Sequence, residues 1–313
     1  MFPAGFSYAR AGSLADALSL LAGAAAADED ARLLAGGQSL LPLMKLRLAT
    51  PHSLIDIGGL PELTGITCDG AGTTTIKAVT TYRALQHDPR VTAAFPALAD
   101  ALAVLADQQV RARGTIGGCV AHGDPAADLP AVLLALTATV TLASRNGTRT
   151  AVLDDFLQGV FATGLAPGEV LTAITVPAAP PGQAYEKFEQ PASHLPLAGV
   201  CAVVTTGNGV ITSARVAVTG VAGRAFRALD TERSLASAQP TPAAVAAAAA
   251  RVGTGVRPLA DQHASGPFRL HLAQVLTRRA LTRAVERAGA GAAGPDRSDD
   301  EYRDASGTGR ERR

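Results

Sequence analysis

Two glycine-rich segments have the backbone pattern best suited to holding a phosphate. The first, Ala35-Gly36-Gly37-Gln38-Ser39, follows a short apolar run, and the second is Arg113-Gly114-Thr115-Ile116-Gly117-Gly118-Cys119. Glycine lets the backbone come close to a ligand, and successive N–H groups in such turns can converge on an anion. One short turn rarely supplies all the donors that a buried diphosphate needs, so two segments favour a diphosphate-containing cofactor. A pair of plain strand-to-loop turns is the open alternative.

Several other kinds of site lack their motif. Neither glycine segment has the G-x-G-x-x-G spacing of a dinucleotide fold or the Gly-Lys-Ser/Thr ending of a Walker loop. Cys68, Cys119 and Cys201 lie far apart and form no C-x-x-C pair, which argues against a zinc ribbon, iron–sulfur ligation and a disulfide framework. No Ser–His–Asp or Cys–His arrangement supports hydrolysis. Redox chemistry in this chain would therefore need an organic cofactor.

Four further side chains are candidates with competing interpretations. Asp124 and Asp128 lie before and at the start of a predicted helix, where carboxylates either cap the helix or accept hydrogen bonds from a ligand. We interpret Asp124 as the cap and Asp128 as the ligand contact, although their spacing alone does not separate the two roles. His122 is a candidate general base, although we expect it to be a surface or loop histidine. Lys187 can place a cation near a flavin or a phosphate.

The elements that would position these residues follow from hydrophobic spacing and turn residues. Helices are predicted over residues 12–27, 93–106, 126–136, 242–252 and 265–287, with Ser13 as the N-cap of the first. Strands are predicted over residues 32–35, 53–57, 66–68, 73–78, 138–143, 150–153, 170–176, 197–205 and 210–221, the last two forming a hairpin around Gly207-Asn208-Gly209.

Length and composition limit the class of protein. The 313 residues suggest two domains, and 47% hydrophobic residues with 18% charged residues indicate a globular chain. The net charge of +1, without a basic block in the folded part, argues against a nucleic-acid partner. No apolar stretch is long enough for a transmembrane segment, and the first residues lack the pattern of a signal peptide. A cytoplasmic location is the expectation.

A proline-rich stretch divides the predicted elements. Residues 177–182 read Pro-Ala-Ala-Pro-Pro-Gly, so we predict one domain over 1–177 and an α+β domain, with strands before helices, over 183–287. Residues 288–313 have few apolar side chains and cannot bury enough surface to offset the loss of chain entropy. We therefore predict a disordered tail over 288–313.

Two long stretches closely resemble the flavin-binding signatures of a known family. They are AGGQSLLPLMKLRLATPHSLIDIGGLPEL (35–63) and QVRARGTIGGCVAHGDPAADLPAVLLAL (109–136), and they are similar to those of the FAD-binding medium subunit of molybdenum hydroxylases of the carbon monoxide dehydrogenase and xanthine dehydrogenase type. The resemblance extends over nearly the whole chain except the tail. It implies an α+β fold in which a two-part FAD-binding domain of the vanillyl-alcohol-oxidase (PCMH) type precedes an α+β flavoprotein C-terminal domain.

The resemblance also implies the residues that contact FAD. The first segment would wrap the diphosphate with Leu33, Leu34, Ala35, Gly36, Gly37, Gln38, Ser39 and Leu40, and the second would complete the cradle with Thr115, Ile116, Gly117, Gly118 and Cys119. Leu105 and Leu171 match apolar positions that pack on the cofactor, Asp128 matches a polar contact, and Lys187 matches a lysine near the flavin. The chain departs from the family pattern at Cys119, where Asn or Ser is common, and over residues 190–196.

The implied function is electron relay within an oxidoreductase complex. Molybdenum cofactor in a large subunit would hydroxylate the substrate, and two [2Fe–2S] clusters in a small subunit would pass electrons to FAD in this chain and then to an external acceptor. A dimer of heterotrimers is the implied assembly. Two alternatives are a self-contained NAD(P)-dependent flavin reductase, which would need a dinucleotide fingerprint, and a flavin-free assembly subunit, which would tolerate degenerate glycine segments.

Overall fold

A computed structural model describes residues 2–292, which form helices and four β-sheets. The strands are β1 (Ser7–Arg10), β2 (Ala31–Leu34), β3 (Ser53–Asp56), β4 (Ile66–Cys68), β5 (Thr74–Lys77), β6 (Thr139–Ser144), β7 (Gly147–Val152), β8 (Leu157–Gly159), β9 (Ala162–Thr163), β10 (Val170–Val176), β11 (Gln183–Glu189), β12 (Pro196–Gly207), β13 (Val210–Thr219) and β14 (Phe226–Arg227). The helices are α1 (Leu14–Ala26), α2 (Leu40–Lys45), α3 (Tyr82–His87), α4 (Pro89–Ala94), α5 (Pro96–Val104), α6 (Gln108–Arg113), α7 (Ile116–His122), α8 (Asp128–Ala135), α9 (Leu153–Phe156), α10 (Leu229–Leu235), α11 (Pro242–Ala249) and α12 (Gly266–Ala292).

The amino-terminal part begins with a small parallel sheet in the order β1-β3-β2. Helix α1 packs on it through buried Ala17 and Leu18, and the Ser13 hydroxyl caps the helix by accepting from the Asp16 N–H at 3.0 Å. The predicted helix and its N-cap are thus confirmed. Because the strands are parallel, their carboxyl ends meet at one edge, and the first glycine segment leaves β2 at that edge.

A five-stranded antiparallel sheet in the order β4-β5-β10-β6-β7 forms the centre of the rest of the amino-terminal part, and α3 to α8 share a hydrophobic core with it. The helix predicted over 93–106 is interrupted, since α4 ends at Ala94 and α5 begins at Pro96. Proline has no N–H to continue the first helix but suits the first position of a new one. Helices α3, α6 and α7 were not predicted, because they are too short for a clear hydrophobic period.

The carboxy-terminal part has an antiparallel sheet in the order β11-β12-β13-β14, with α12 packed on β11 and β12. The predicted hairpin is confirmed, and Asn208 and Gly209 adopt positive φ at its turn (52° and 77°). Helix α12 continues to Ala292, so residues 288–292, which we predicted as disordered tail, are helical. Residues 293–313, the rest of that prediction, lie outside the described residues.

Ion pairs connect the two parts. Arg287 on α12 donates to both carboxylate oxygens of Asp100 on α5, at 2.8 and 3.0 Å, and the neighbouring Arg283 forms an ion pair with the same carboxylate. The mixture of helices with separate parallel and antiparallel sheets confirms the α+β class. Within residues 2–292, no helix is both long enough and apolar enough to cross a membrane.

Candidate functional site

The two glycine segments line one cavity of about 510 Å³, a size typical of small-molecule and cofactor sites. The predicted site residues that line it are Leu33, Leu34, Ala35, Gly36, Gly37, Gln38, Ser39, Leu40, Thr115, Gly117, Gly118, Cys119 and Leu171. A third segment, residues 165–170, completes the wall between Leu171 and the glycines. The structure thus brings together residues that are more than a hundred positions apart in the chain.

The first segment connects β2 to α2 and presents unpaired donors. Among residues 2–292, no acceptor pairs with the backbone N–H groups of Gly36 to Leu40. Gly37 has a φ of +73°, a backbone conformation that residues other than glycine rarely adopt. The Ser39 hydroxyl makes no cap bond to α2. Five successive N–H groups without an internal acceptor, beside a hydroxyl, are donors that suit an anion in the cavity.

The second segment is the start of a helix and not the loop that the sequence suggested. Thr115 is the N-cap of α7, and its Oγ1 accepts from the Gly118 N–H at 3.2 Å. The Ile116 and Gly117 N–H groups donate to the carbonyls of Thr80 and Ala78, at 3.1 and 2.8 Å. Because its donors are already paired inside the protein, this segment shapes the cavity, whereas the first segment supplies the free donors.

Two glycines allow the segments to pack closely. A Cβ at Gly36 would collide with the backbone carbonyl oxygen of Arg113, and one at Gly117 would lie 2.7 Å from both Cα and O of Ala78. Gly118 differs, because within 4 Å its Cβ would meet only the Thr115 hydroxyl, at 2.7 Å, and the residue is exposed on the cavity side. Gly36 therefore lets the first segment pack against the second, Gly117 lets α7 pack against Ala78, and Gly118 keeps space open.

Tyr82, which the sequence did not single out, also lines the cavity, and so does His122. His122 was expected on a surface or loop, but it lies half-buried in the last turn of α7, with its ring centroid 5.0 Å from that of Phe161. Burial lowers the pKa of His122, and a nearby carboxylate, that of Asp124, opposes the shift. Burial raises the pKa of Tyr82 well above its usual value and that of Cys119 to about 12. These three groups are thus neutral near pH 7.

Four predicted contacts lie away from this cavity. Ile116 is fully buried beneath it, and Leu105 is buried where α5 ends. Asp128 is buried and pairs with Lys187, with Nζ 3.1 Å from Oδ1, while Tyr185 donates its hydroxyl to the same oxygen at 2.8 Å. Burial raises the pKa of Asp128, and the ammonium of Lys187 partly offsets that shift.

The buried pair borders a second cleft, of about 590 Å³, between α5, β11 and the second half of α12, where Arg283 lines it. Lys187 lines it together with Val104, Ala106 and His194. Asp124, which we interpreted as a cap, accepts from the Ala126 N–H at 2.8 Å and so closes the turn before α8. The N-cap position of α8 itself is Ala127.

The residues fit a diphosphate cofactor better than a metal. Five free N–H groups and the Ser39 hydroxyl can pair with phosphate oxygens, and apolar residues such as Leu33 and Leu171 line the remainder of the cavity. No group of three His, Cys, Asp or Glu side chains suited to a metal ion occurs in the part of the chain that the structure describes.

Comparison with known families gives two adjacent matches. Residues 4–179 match the FAD binding domain in molybdopterin dehydrogenase, and residues 183–284 match the CO dehydrogenase flavoprotein C-terminal domain.

Two curated relatives match over almost their full length. The carbon monoxide dehydrogenase medium chain of Afipia carboxidovorans is 37% identical, over 92% of this chain and 99% of the relative. The nicotine 6-hydroxylase medium subunit of Paenarthrobacter nicotinovorans is 36% identical, over 90% and 97%. A solved structure of carbon monoxide dehydrogenase from Hydrogenophaga pseudoflava, lacking the Mo-pyranopterin moiety, is 40% identical with a TM-score of 0.87, over 92% of this chain and 99% of that chain.

Proposed function

The chain belongs to the family of FAD-binding medium subunits of molybdenum hydroxylases, and we propose that it holds FAD noncovalently, with the diphosphate on the free N–H groups of Gly36 to Leu40. That row of unpaired donors on one wall of the cavity is the observation on which the assignment depends. FAD exchanges electrons singly or in pairs, which suits it to link one-electron clusters with a two-electron acceptor. The chain's own residues bind and orient the cofactor and exclude water.

The organic substrate reacts elsewhere in this proposal. Relatives that match over nearly their whole length are named for carbon monoxide and for nicotine, which indicates that substrate choice does not reside in the medium chain. We propose that a large subunit with molybdenum cofactor transforms the substrate and that a small subunit with two [2Fe–2S] clusters passes the electrons on. The absence of a metal-binding group among residues 2–292 is compatible with this division. The NAD(P)-dependent reductase and the assembly subunit have no support from the relatives.

Finer features of the assembly remain proposals. We propose domains over 1–177 and 183–287, a dimer of heterotrimers without nucleic acid, and a cytoplasmic location. From the family resemblance we also propose Leu105 as an apolar contact of the cofactor, Asp128 as a polar contact and Lys187 as a lysine near the flavin; Lys187 lines the second cleft.

The test is flavin content and electron flow in the complex. Co-expression with the neighbouring subunits, followed by size exclusion, metal analysis and an absorption spectrum, should give one FAD per chain together with molybdenum and iron. Reduction of the FAD by substrate should require both partner subunits. A complex that retains no flavin would overturn the proposed function, and so would an isolated chain that oxidises a substrate without molybdenum or iron.

A further inference from the structure

The third wall of the cavity is a turn without regular secondary structure, and side-chain hydrogen bonds from a neighbouring strand hold it. Residues 164–169 lie between β9 and β10, and Gly168 within them has a φ of +78°. The backbone N–H groups of the turn make two hydrogen bonds to carbonyls, from Glu169 to Ala166 at 3.1 Å and from Gly164 to Phe156 at 2.7 Å. The remaining hydrogen bonds that hold this wall in place come from side chains.

One arginine makes most of the side-chain hydrogen bonds to this turn. Arg149 on β7 donates from Nε to Oε1 of Glu169 at 2.6 Å and from Nη2 to Oε2 at 2.7 Å, which is a two-point fork. The same Nη2 donates to the carbonyl of Gly164 at 2.7 Å. Glu169 in turn accepts from the Ala166 N–H at 2.8 Å. Both ends of the turn are thus joined to a single guanidinium.

The fork lies between solvent and cavity. The side chain of Arg149 is 46% exposed and that of Glu169 is 11% exposed, and Glu169 lines the cavity with Leu165 and Val170. Hydrogen bonding from Arg149 and from the Ala166 N–H holds the pKa of Glu169 below its usual range, so the pair is ionised at neutral pH. Forked bonds between charged groups are stronger and more directional than single neutral ones.

We propose that Arg149 is a positioning residue for the cofactor: by fastening the 164–169 turn through Glu169 and Gly164, it sets how long FAD remains in the cavity. The inference rests on the proposed binding of FAD there. Arg149 does not itself line the cavity, so it acts through the turn. Loosening the turn opens one wall and leaves the glycine segments intact.

A matched fork elsewhere provides the control. Arg90 donates to Asp88 from Nε at 3.1 Å and from Nη2 at 2.6 Å, with side-chain exposures of 56% and 14%, and neither residue lines the cavity. As exposed ion pairs, both forks are worth little to overall stability. Arg149→Met and Arg90→Met should therefore lower the unfolding midpoint of the FAD-free chain slightly and equally.

The decisive measurement is the rate of FAD release from the loaded full chain, followed by flavin fluorescence after dilution. Arg149→Met should raise the dissociation rate constant by about tenfold, which corresponds to about 1.4 kcal/mol, while Arg90→Met should match the wild type. Arg149→Lys keeps the charge without the planar fork, so it should restore part of the retention. Amide hydrogen exchange should accelerate within residues 164–169 in Arg149→Met and not elsewhere.

Two results would overturn the inference: an unchanged release rate in Arg149→Met, or equal acceleration in both methionine variants. If Arg149→Met does not fold, Glu169→Gln replaces it, because the amide still accepts from the Ala166 N–H but no longer pairs as an ion. A wild-type chain that takes up no FAD would instead count against the proposed function.

Discussion

Replacing Gly118 with valine separates loss of the cofactor from loss of the fold. The added side chain would project into the cavity, because only the Thr115 hydroxyl lies within 4 Å of its Cβ position. If the branched side chain keeps the diphosphate from two of the free N–H groups of the first segment, two charge-assisted hydrogen bonds of about 1.5 kcal/mol each are lost. The combined loss of about 3 kcal/mol weakens FAD binding roughly 150-fold.

The cost of Gly118→Val to the fold should be small. The contact with Thr115 is to the end of a rotatable side chain, so the hydroxyl can turn away at the cost of the N-cap bond, about 1 kcal/mol. The substitution also gains a few tenths of a kcal/mol, because valine is a better helix former than glycine, and this offsets part of the cost of the lost N-cap bond. The unfolding midpoint of the FAD-free variant should therefore stay close to the wild-type value.

The assay is bound FAD per folded chain, with circular dichroism and urea unfolding on the same samples. Gly117→Ala is the contrasting variant, because its methyl would meet the backbone of Ala78 at 2.7 Å and should lower the free energy of unfolding. Cys119→Ala is the mild control, which should keep its flavin. Full FAD occupancy in Gly118→Val would refute the assignment of the cradle.

Three further expectations concern other parts of the molecule. Lys187→Met should lower the free energy of unfolding by about 3 kcal/mol at neutral pH by leaving Asp128 buried without its partner. In urea titrations this difference between Lys187→Met and the wild type should shrink on acidification. The pKa of Asp128 is raised in the folded state, so the folded chain binds the proton more tightly than the unfolded chain does. Stability is therefore lost as pH rises through the folded pKa of Asp128. Cys68 is exposed, whereas burial raises the pKa of Cys119 to about 12, so a thiol reagent should label the former first in the folded chain; equal rates would contradict this. Gly36→Ala should cost about 1–3 kcal/mol, seen as a lower urea midpoint, because the methyl meets a backbone carbonyl that cannot rotate away.

Local sequence signals were enough for some of these features. Ser13 marks the start of α1, and the Asn208-Gly209 pair marks the β12–β13 hairpin, because both are set by residues a few positions apart. The Gly117-Gly118 pair suggested a loop, because glycine disfavours helix interiors, but both residues lie in α7. Close packing of Gly117 on Ala78 overrides that preference, and the neighbour that decides the matter lies far away in the chain.

The 164–169 turn shows why the complete site could not be predicted from the sequence. Pro167 and Gly168 indicate a turn but not what it faces. Its place at the cavity follows from β10, which pairs with β5 on one side and β6 on the other and so brings the turn beside α7. His122 reaches the cavity for the same reason, as part of a helix whose position is set by distant strands.

Each of the two pairs, Gly36-Gly37 and Gly117-Gly118, contains two glycines with different structural roles. In each segment one glycine, Gly36 or Gly117, lies against backbone of another part of the chain, where an added Cβ has no room. The other, Gly37 or Gly118, meets only side chains: the former needs glycine for its positive φ, and the latter for the open space beside it. A Gly-Gly pair thus combines one position that packs against distant backbone with one that needs glycine for a different reason. Substitutions within the second pair should consequently differ in kind, those at Gly117 lowering stability and those at Gly118 lowering flavin content in a chain that still folds.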